Sequence, residues 1–94
     1  MNKNEIISLI YASGIVPVVR AESSKKAIQI TEAVKDGGIN VIEITMTVPG
    51  AVDLIDNLTD DHYDRDVIFG AGSVMDGETA RSCILAGAEF IVGP

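Results

Sequence analysis

Val41-Ile42-Glu43-Ile44-Thr45 is a run of mainly β-branched residues that carries one ionisable side chain at its centre. A continuous run of this kind is typical of a parallel strand that is covered on both faces. Because side chains alternate along a strand, Val41, Glu43 and Thr45 share one face, and the other face is wholly apolar. The run therefore predicts a buried strand with a carboxyl group on one side.

The Glu43 carboxyl needs an explanation, since burying a lone carboxylate costs several kcal/mol or raises its pKa. One interpretation is catalytic, because perturbed carboxyl groups are common at active sites. Two structural alternatives stay open at this point. The strand could lie at an edge with its polar face in water, or Glu43 could pair with a neighbouring arginine.

Strand-like and helix-like segments alternate on both sides of this run. Strands are predicted at 15–20, 39–45, 67–71 and 89–92. Helices are predicted at 4–12, from Ser23 or Ser24 to Gly37, from Pro49-Gly50 to 58, and from Asp76 or Gly77 to Gly87. Because Pro17 cannot donate a ladder hydrogen bond, the first strand should lie at an edge or contain a bulge.

Repeated β-α units with short connections predict an α/β fold with a parallel sheet. Four strands, three intervening helices and an N-terminal helix amount to half of a (β/α)8 TIM barrel, which typically has about 250 residues. A small open sheet of the flavodoxin type is the alternative, but that order usually has five strands. Ending on a strand favours the half barrel, so residues 1–94 are predicted to be a single partial domain.

The composition excludes several classes of partner. The chain has 94 residues with 7 basic and 14 acidic side chains, a formal net charge of −7. This charge argues against nucleic acid and against anionic membrane surfaces, and no apolar run approaches the roughly 18 residues of a membrane span. A single cysteine, Cys83, excludes a disulfide within the chain and indicates a reducing, cytoplasmic location. We expect its thiol to be buried and inert.

Motifs for metals and nucleotides are incomplete. Asp60, Asp61, His62 and Asp64 match neither a calcium loop nor a zinc helix, so we expect an ordinary charged loop and no metal. Gly70-Ala71-Gly72 lacks the third glycine of a dinucleotide site, and no cofactor is predicted.

Polar side chains cluster where the predicted strands end, which is where α/β folds bind ligands. Arg20 follows the first strand, and a guanidinium can hold a carboxylate with two parallel hydrogen bonds. Thr45 and Thr47 follow Glu43, which could exchange protons near neutral pH if its site is dry. Ser73 follows Gly70-Ala71-Gly72, and these small residues should leave room for a ligand.

Four segments in order carry a resemblance to a known family: Gly14–Arg20, Ile42–Ala51, Gly70–Val74 and Ala86–Val92. They resemble the bacterial 2-keto-3-deoxy-6-phosphogluconate (KDPG) and 4-hydroxy-2-oxoglutarate (KHG) aldolases. The resemblance implies a class I aldolase on a (β/α)8 barrel, usually homotrimeric and without metal. Its substrate class would be 2-keto-4-hydroxy acids, which are cleaved to pyruvate and an aldehyde.

The resemblance also implies roles for individual residues. Glu43 matches the general acid/base, and Arg20 matches the arginine that holds the pyruvate carboxylate in many members. Other members have that arginine where this chain has Thr47. Ser73 stands where the family commonly has a threonine that helps to seat the carboxylate, and Pro94 matches a proline that lines the pocket.

A class I aldolase also needs a lysine amine, which the family places on the sixth strand of the barrel. The four lysines here fall on polar helical positions: Lys3, Lys25, Lys26 and Lys35. We therefore expect the 94-residue chain alone to be inactive and to self-associate through its open edges. The competing hypothesis is a non-catalytic α/β module that binds small carboxylates or a partner chain.

Overall fold

The computed structural model describes residues 2–60 and 66–93, and only the backbone of Tyr11 and Ser13. Within these residues there are four helices and three strands. The helices are α1 (Lys3–Ser13), α2 (Ser24–Asp36), α3 (Ala51–Thr59) and α4 (Gly77–Ala86). The strands are β1 (Val18–Val19), β2 (Val41–Thr45) and β3 (Ile68–Gly72).

Side-chain caps and glycines set the helix ends, as predicted. The Ser23 hydroxyl accepts a hydrogen bond from the Lys26 amide at 3.1 Å, and the Asp76 carboxylate accepts one from the Thr79 amide at 2.7 Å. These bonds satisfy amides that have no partner within a helix. The α4 helix ends at Gly87, whose φ of 116° is readily adopted by glycine.

The three strands form one parallel sheet in the order β1-β2-β3, so β2 is central. Its register with β3 runs from Val41 opposite Ile68 to Thr45 opposite Gly72. The β1 strand is shorter than the predicted 15–20, and its edge position is confirmed. The Pro17 carbonyl still accepts a hydrogen bond from the Glu43 amide at 3.0 Å, but the proline nitrogen has no hydrogen to return.

The predicted fourth strand is reduced to a single parallel bridge between Ile91 and Ala71. The Ala71 amide donates to the Phe90 carbonyl at 3.0 Å, and the Val92 amide donates to the Ala71 carbonyl at 2.8 Å. The parallel direction agrees with the prediction, whereas the length of the ladder does not. Within the described residues, the segment bonds only to β3 and to Val74 just after it, and no second strand pairs with its other edge, so the regular ladder is short.

The core lies between the sheet and helices α2, α3 and α4. On the sheet side it contains residues that point toward the helices, and on the helix side it is built mainly from α3. Its fully or almost fully buried members include Ala27, Ile42, Ile44, Leu54, Ile55, Leu58, Phe69, Ala71 and Cys83. This arrangement confirms that the odd and even positions of β2 face opposite sides.

The α4 helix buries only one of its sides. Ile84 and Leu85 are 57% and 72% exposed. Cys83 is fully buried, and the next two residues turn away from it because each helical residue rotates by about 100°. No helix in residues 2–60 or 66–93 has the length and apolar content required to cross a bilayer.

The second face of the sheet carries Glu43. Its lower part is closed, since Val41 and Ile68 are fully buried and α1 packs against β2. Beside Glu43 the face is more open, with Val18 of β1 and Val92 exposed by 43% and 40%, although Thr45 at the end of β2 is buried. Glu43 is therefore partly buried, with solvent access on the sides of Val18 and Val92.

Candidate active site

Glu43 lies in the middle of β2, with Val18 of β1 and Gly70 of β3 as its direct neighbours across the sheet. Its side chain reaches along the sheet to Gly72. A Cβ atom placed on Gly72 would overlap the carboxylate oxygen and would lie 2.6 Å from the Glu43 Cδ. The carboxyl group thus rests directly on the β3 backbone.

This position changes the acidity of Glu43. Partial burial raises its pKa, and the positive charge of Arg20 opposes that rise in part. No ion pair joins the two side chains within the described residues, so the structural alternative of an Arg20–Glu43 salt bridge is not observed. A carboxyl group with a raised pKa holds its proton closer to neutral pH, as a general acid/base must.

The expectation that Gly70 and Gly72 leave room for a ligand is wrong for this structure. The Phe90 ring occupies the space where a Gly70 Cβ would stand, and the Glu43 carboxyl occupies the corresponding space over Gly72. Both glycines lie on the same face of β3 because they are two residues apart. Their missing side chains make room for groups of the protein itself.

The hydroxyl groups predicted for the site fall into two places. Thr45 is buried, and its Oγ1 lies 3.1 Å from the Oγ1 of the exposed Thr47. Ser73 follows Gly72 directly and has a φ of 58°, the left-handed region that costs a residue with a Cβ energy. Ser73 therefore directly follows the glycine that the Glu43 carboxyl contacts, whereas the two threonine hydroxyls lie within hydrogen-bond distance of each other.

Arg20 is exposed and lines a groove with residues at the start of α2, including Ser23 and Lys26. Its charge acts on Glu43 without direct contact. The predicted pocket residue Pro94 lies outside the described residues, as do residues 61–65, for which the sequence predicted a charged loop containing His62. Among the described residues, no three His, Cys, Asp or Glu side chains are grouped to hold a metal ion.

Cys83 has the inert environment that was predicted. It is fully buried, and its Sγ lies 3.6 Å from the Met46 Sδ. Burial raises the pKa of the thiol, so the reactive thiolate is disfavoured at neutral pH. The four lysines lie on α1 and α2, and none lies on a strand.

Sequence reasoning missed Phe90 and the role of Gly72. A signal was available, because two glycines two residues apart leave one face of a strand without side chains. A large group from a neighbouring strand can then fill the gap. The spacing alone did not show whether a ligand or the protein would fill it.

The sequence matches the family model of the KDPG and KHG aldolases over residues 6–94. The 2-dehydro-3-deoxy-phosphogluconate aldolase of Treponema pallidum is 34% identical over 80 residues, which cover 85% of this chain and 37% of the relative. The enzyme of that name from Pseudoalteromonas atlantica is 32% identical over 97 positions, which cover 100% of this chain and 44% of the relative.

Solved structures give the same result. The KDPG aldolase of Zymomonas mobilis ZM4 with 3-phosphoglycerate superposes with a TM-score of 0.81 at 30% identity, covering 99% of this chain and 43% of that one. The KDPG aldolase of Legionella pneumophila, with pyruvate captured as a covalent carbinolamine, superposes with a TM-score of 0.79 at 30% identity. The match covers 93% of this chain and 41% of that one. The chain spans less than half the length of these relatives, and its fold is part of their (β/α)8 barrel. It belongs to the KDPG and KHG aldolase family.

Proposed function

We propose that this chain supplies part of the active site of a class I aldolase. The reaction would cleave 2-keto-4-hydroxy acids, such as KDPG or 4-hydroxy-2-oxoglutarate, to pyruvate and an aldehyde. The observation that carries the proposal is Glu43, a carboxyl group with a raised pKa on the open face of a barrel strand. Family membership supports the reaction class.

Glu43 would act as the general acid/base. In its protonated form it can donate to the hydroxyl that leaves a carbinolamine as water. As a carboxylate it can accept the proton of the substrate 4-hydroxyl when the carbon–carbon bond breaks. The raised pKa supports the acid role, because the protonated form then persists to higher pH than in an ordinary glutamate.

Arg20 would hold the carboxylate of the keto acid. Its guanidinium is exposed and has no ion pair among the described residues, so it is available for a bidentate bond with a substrate anion. The Thr45, Thr47 and Ser73 hydroxyls and Pro94 complete the proposed set. The carbinolamine in the Legionella pneumophila structure supports a pyruvate-forming imine mechanism for this family.

The imine-forming lysine is the part of this mechanism that the 94 residues do not supply. All four lysines lie on helices α1 and α2, and none lies on a strand. The chain should therefore give no covalent product when it is treated with pyruvate and borohydride. Mass spectrometry would measure the result, and an adduct on one of these lysines would overturn this assignment.

Glu43 itself is tested in a longer protein, a chimera in which residues 1–94 replace the matching segment of the Zymomonas mobilis KDPG aldolase. Glu43→Gln should lower kcat by about 100-fold to 10,000-fold, because the amide cannot transfer the proton. Glu78→Gln, a change of the same kind at an exposed site on α4, should leave kcat unchanged. Full activity of the Glu43→Gln enzyme would refute the proposed role.

A non-catalytic carboxylate-binding module is the second candidate, and the placement of the lysines on helices favours it. In that case pyruvate would bind to the chain without forming an adduct, and Arg20→Ala would abolish binding in a calorimetric titration. Retained aldol cleavage by the longer protein would exclude this candidate.

The proposal includes homotrimeric assembly, which the family resemblance implies, and a cytoplasmic location, which the lone thiol supports. Sedimentation equilibrium of the longer protein should give three times the mass of one chain. A monomer at micromolar concentration would contradict the proposed assembly.

A further inference from the structure

We propose that Gly72 is a positioning residue for Glu43: the absence of a side chain at Gly72 creates the slot that holds the Glu43 carboxyl against β3. The catalytic meaning of this slot rests on the function proposed above. The steric relation between the two residues does not depend on it.

The slot exists because the other spaces around Glu43 are filled. Val18 is its neighbour on β1, and Gly70 is its neighbour on β3. The space over Gly70 is taken by the Phe90 ring. The space over Gly72 is therefore the one left on the β3 side of this face, and the carboxyl occupies it.

The backbone does not require glycine at position 72. Gly72 is the last residue of β3 and is not among the glycines with positive φ. Any residue could adopt its conformation, so the demand for glycine comes from the close approach of Glu43. A Cβ atom would lie 2.6 Å from Cδ and 3.0 Å from Cγ of Glu43, well below the carbon–carbon contact distance of about 3.5–4.0 Å.

The Glu43 side chain would yield to a methyl group at this position, because the overlapping atoms are the end of a flexible side chain. The sheet face that carries Glu43 is exposed to solvent at Val18 and Val92, so the displaced carboxyl would move toward water. The fold should survive, and the position and solvation of the carboxyl should change. Arg20 is the charged group that acts on Glu43 among the described residues, and it stays in place.

The test is a carbon-13 NMR titration of the Glu43 carboxyl in the wild-type chain and in Gly72→Ala. Burial raises the Glu43 pKa in the wild type, and Gly72→Ala should return it to the ordinary glutamate range. Gly77→Ala is the matched control, since its new Cβ would meet no atom within 4 Å. An unchanged Glu43 pKa in a folded Gly72→Ala chain would overturn the proposal.

A second variant keeps the test decisive if Gly72→Ala does not fold. Glu43→Ala removes the atoms that overlap, so the double variant Gly72→Ala/Glu43→Ala should fold when the single variant does not. Failure of both would show that glycine is needed for another reason, and the proposal would be wrong.

Activity of the longer protein separates this proposal from the proposed function. Gly72→Ala should lower kcat by about 100-fold with little change in KM, since a displacement of about 1 Å can have this effect. If Glu43→Gln stays active while Gly72→Ala lowers the Glu43 pKa, the slot is supported and the catalytic role fails. If Glu43→Gln is inactive and Gly72→Ala changes neither pKa nor kcat, the slot fails.

Discussion

Thr31→Val should stabilise the chain, because Thr31 places a hydroxyl group in the core without a hydrogen-bond partner. The residue lies on α2 and is fully buried. Its Oγ1 has no partner within the described residues. Valine has nearly the same shape, so the substitution replaces the unpaired hydroxyl with a methyl group and opens no cavity.

The magnitude follows from the cost of an unpaired polar group. A buried donor or acceptor without a partner costs about 1 to 3 kcal/mol. Valine and threonine have similar helix propensities, so the backbone adds little. We expect the free energy of unfolding to rise by about 1 to 2 kcal/mol. For a domain of this size each kcal/mol raises Tm by about 4 to 8 °C.

The assay is urea unfolding followed by far-UV circular dichroism, with Thr59→Val as the matched control. The Thr59 hydroxyl lies 2.6 Å from the Ala86 carbonyl oxygen and 2.8 Å from that of Ile55, and it can donate to either one. Removing this hydroxyl should lower the free energy of unfolding by about 1 kcal/mol. The same substitution, threonine to valine, should thus raise the free energy of unfolding on α2 and lower it on α3.

The reasoning is refuted if Thr31→Val destabilises the chain by as much as Thr59→Val does. That result would mean that the Thr31 hydroxyl has a partner in solution, such as an internal water or the carbonyl one turn earlier. If the slope of the unfolding free energy against urea concentration (the m value) is the same in both variants and in wild type, the surface exposed on unfolding has not changed. The difference in stability then arises in the folded state.

Three further predictions concern stability. The folded state raises the Glu43 pKa, so protonation of Glu43 stabilises the fold below the unfolded pKa of about 4.3, and this contribution is lost as the pH rises through the folded pKa. The stability of Glu43→Gln relative to wild type should therefore increase from pH 4 to neutral pH in urea titrations. A stability difference that stays constant over this range would contradict the raised pKa. Gly87→Ala should cost about 2 to 3 kcal/mol, because φ is 116° and the new Cβ would lie 2.7 Å from the Thr59 Cβ; Gly77→Ala, measured in the same melts, should cost nothing. Ser73→Gly should raise Tm or leave it unchanged, with a gain of up to about 1 kcal/mol from relief of the positive φ of 58°, and a marked loss would show that the Ser73 side chain is structurally required.

Much of the fold could be predicted from local signals in the sequence. The caps at Ser23 and Asp76 and the stop at Gly87 are short-range features, since each acts within one turn of its own helix. The β2 strand was also predictable, because its β-branched run has few alternatives. The edge position of β1 is one of the two alternatives, edge or bulge, that the missing donor of Pro17 predicted.

The parts that failed depend on contacts between distant segments. The length of the strand around Ile91 depends on which segments pair with it. The filling of the glycine spaces requires the register between β2, β3 and the Phe90 segment. No local pattern in the sequence carries that register, so the position of the Glu43 carboxyl could not be derived from its own strand.

The contact between Gly72 and Glu43 has a consequence for how related sequences can diverge. A lineage that keeps the carboxyl cannot accept a side chain at position 72 without displacing it. A lineage that replaces Glu43 with a small residue is released from this restriction, because the backbone at position 72 suits any amino acid. The two positions should therefore covary, and alanine at position 72 should mark descendants that have given up the carboxyl.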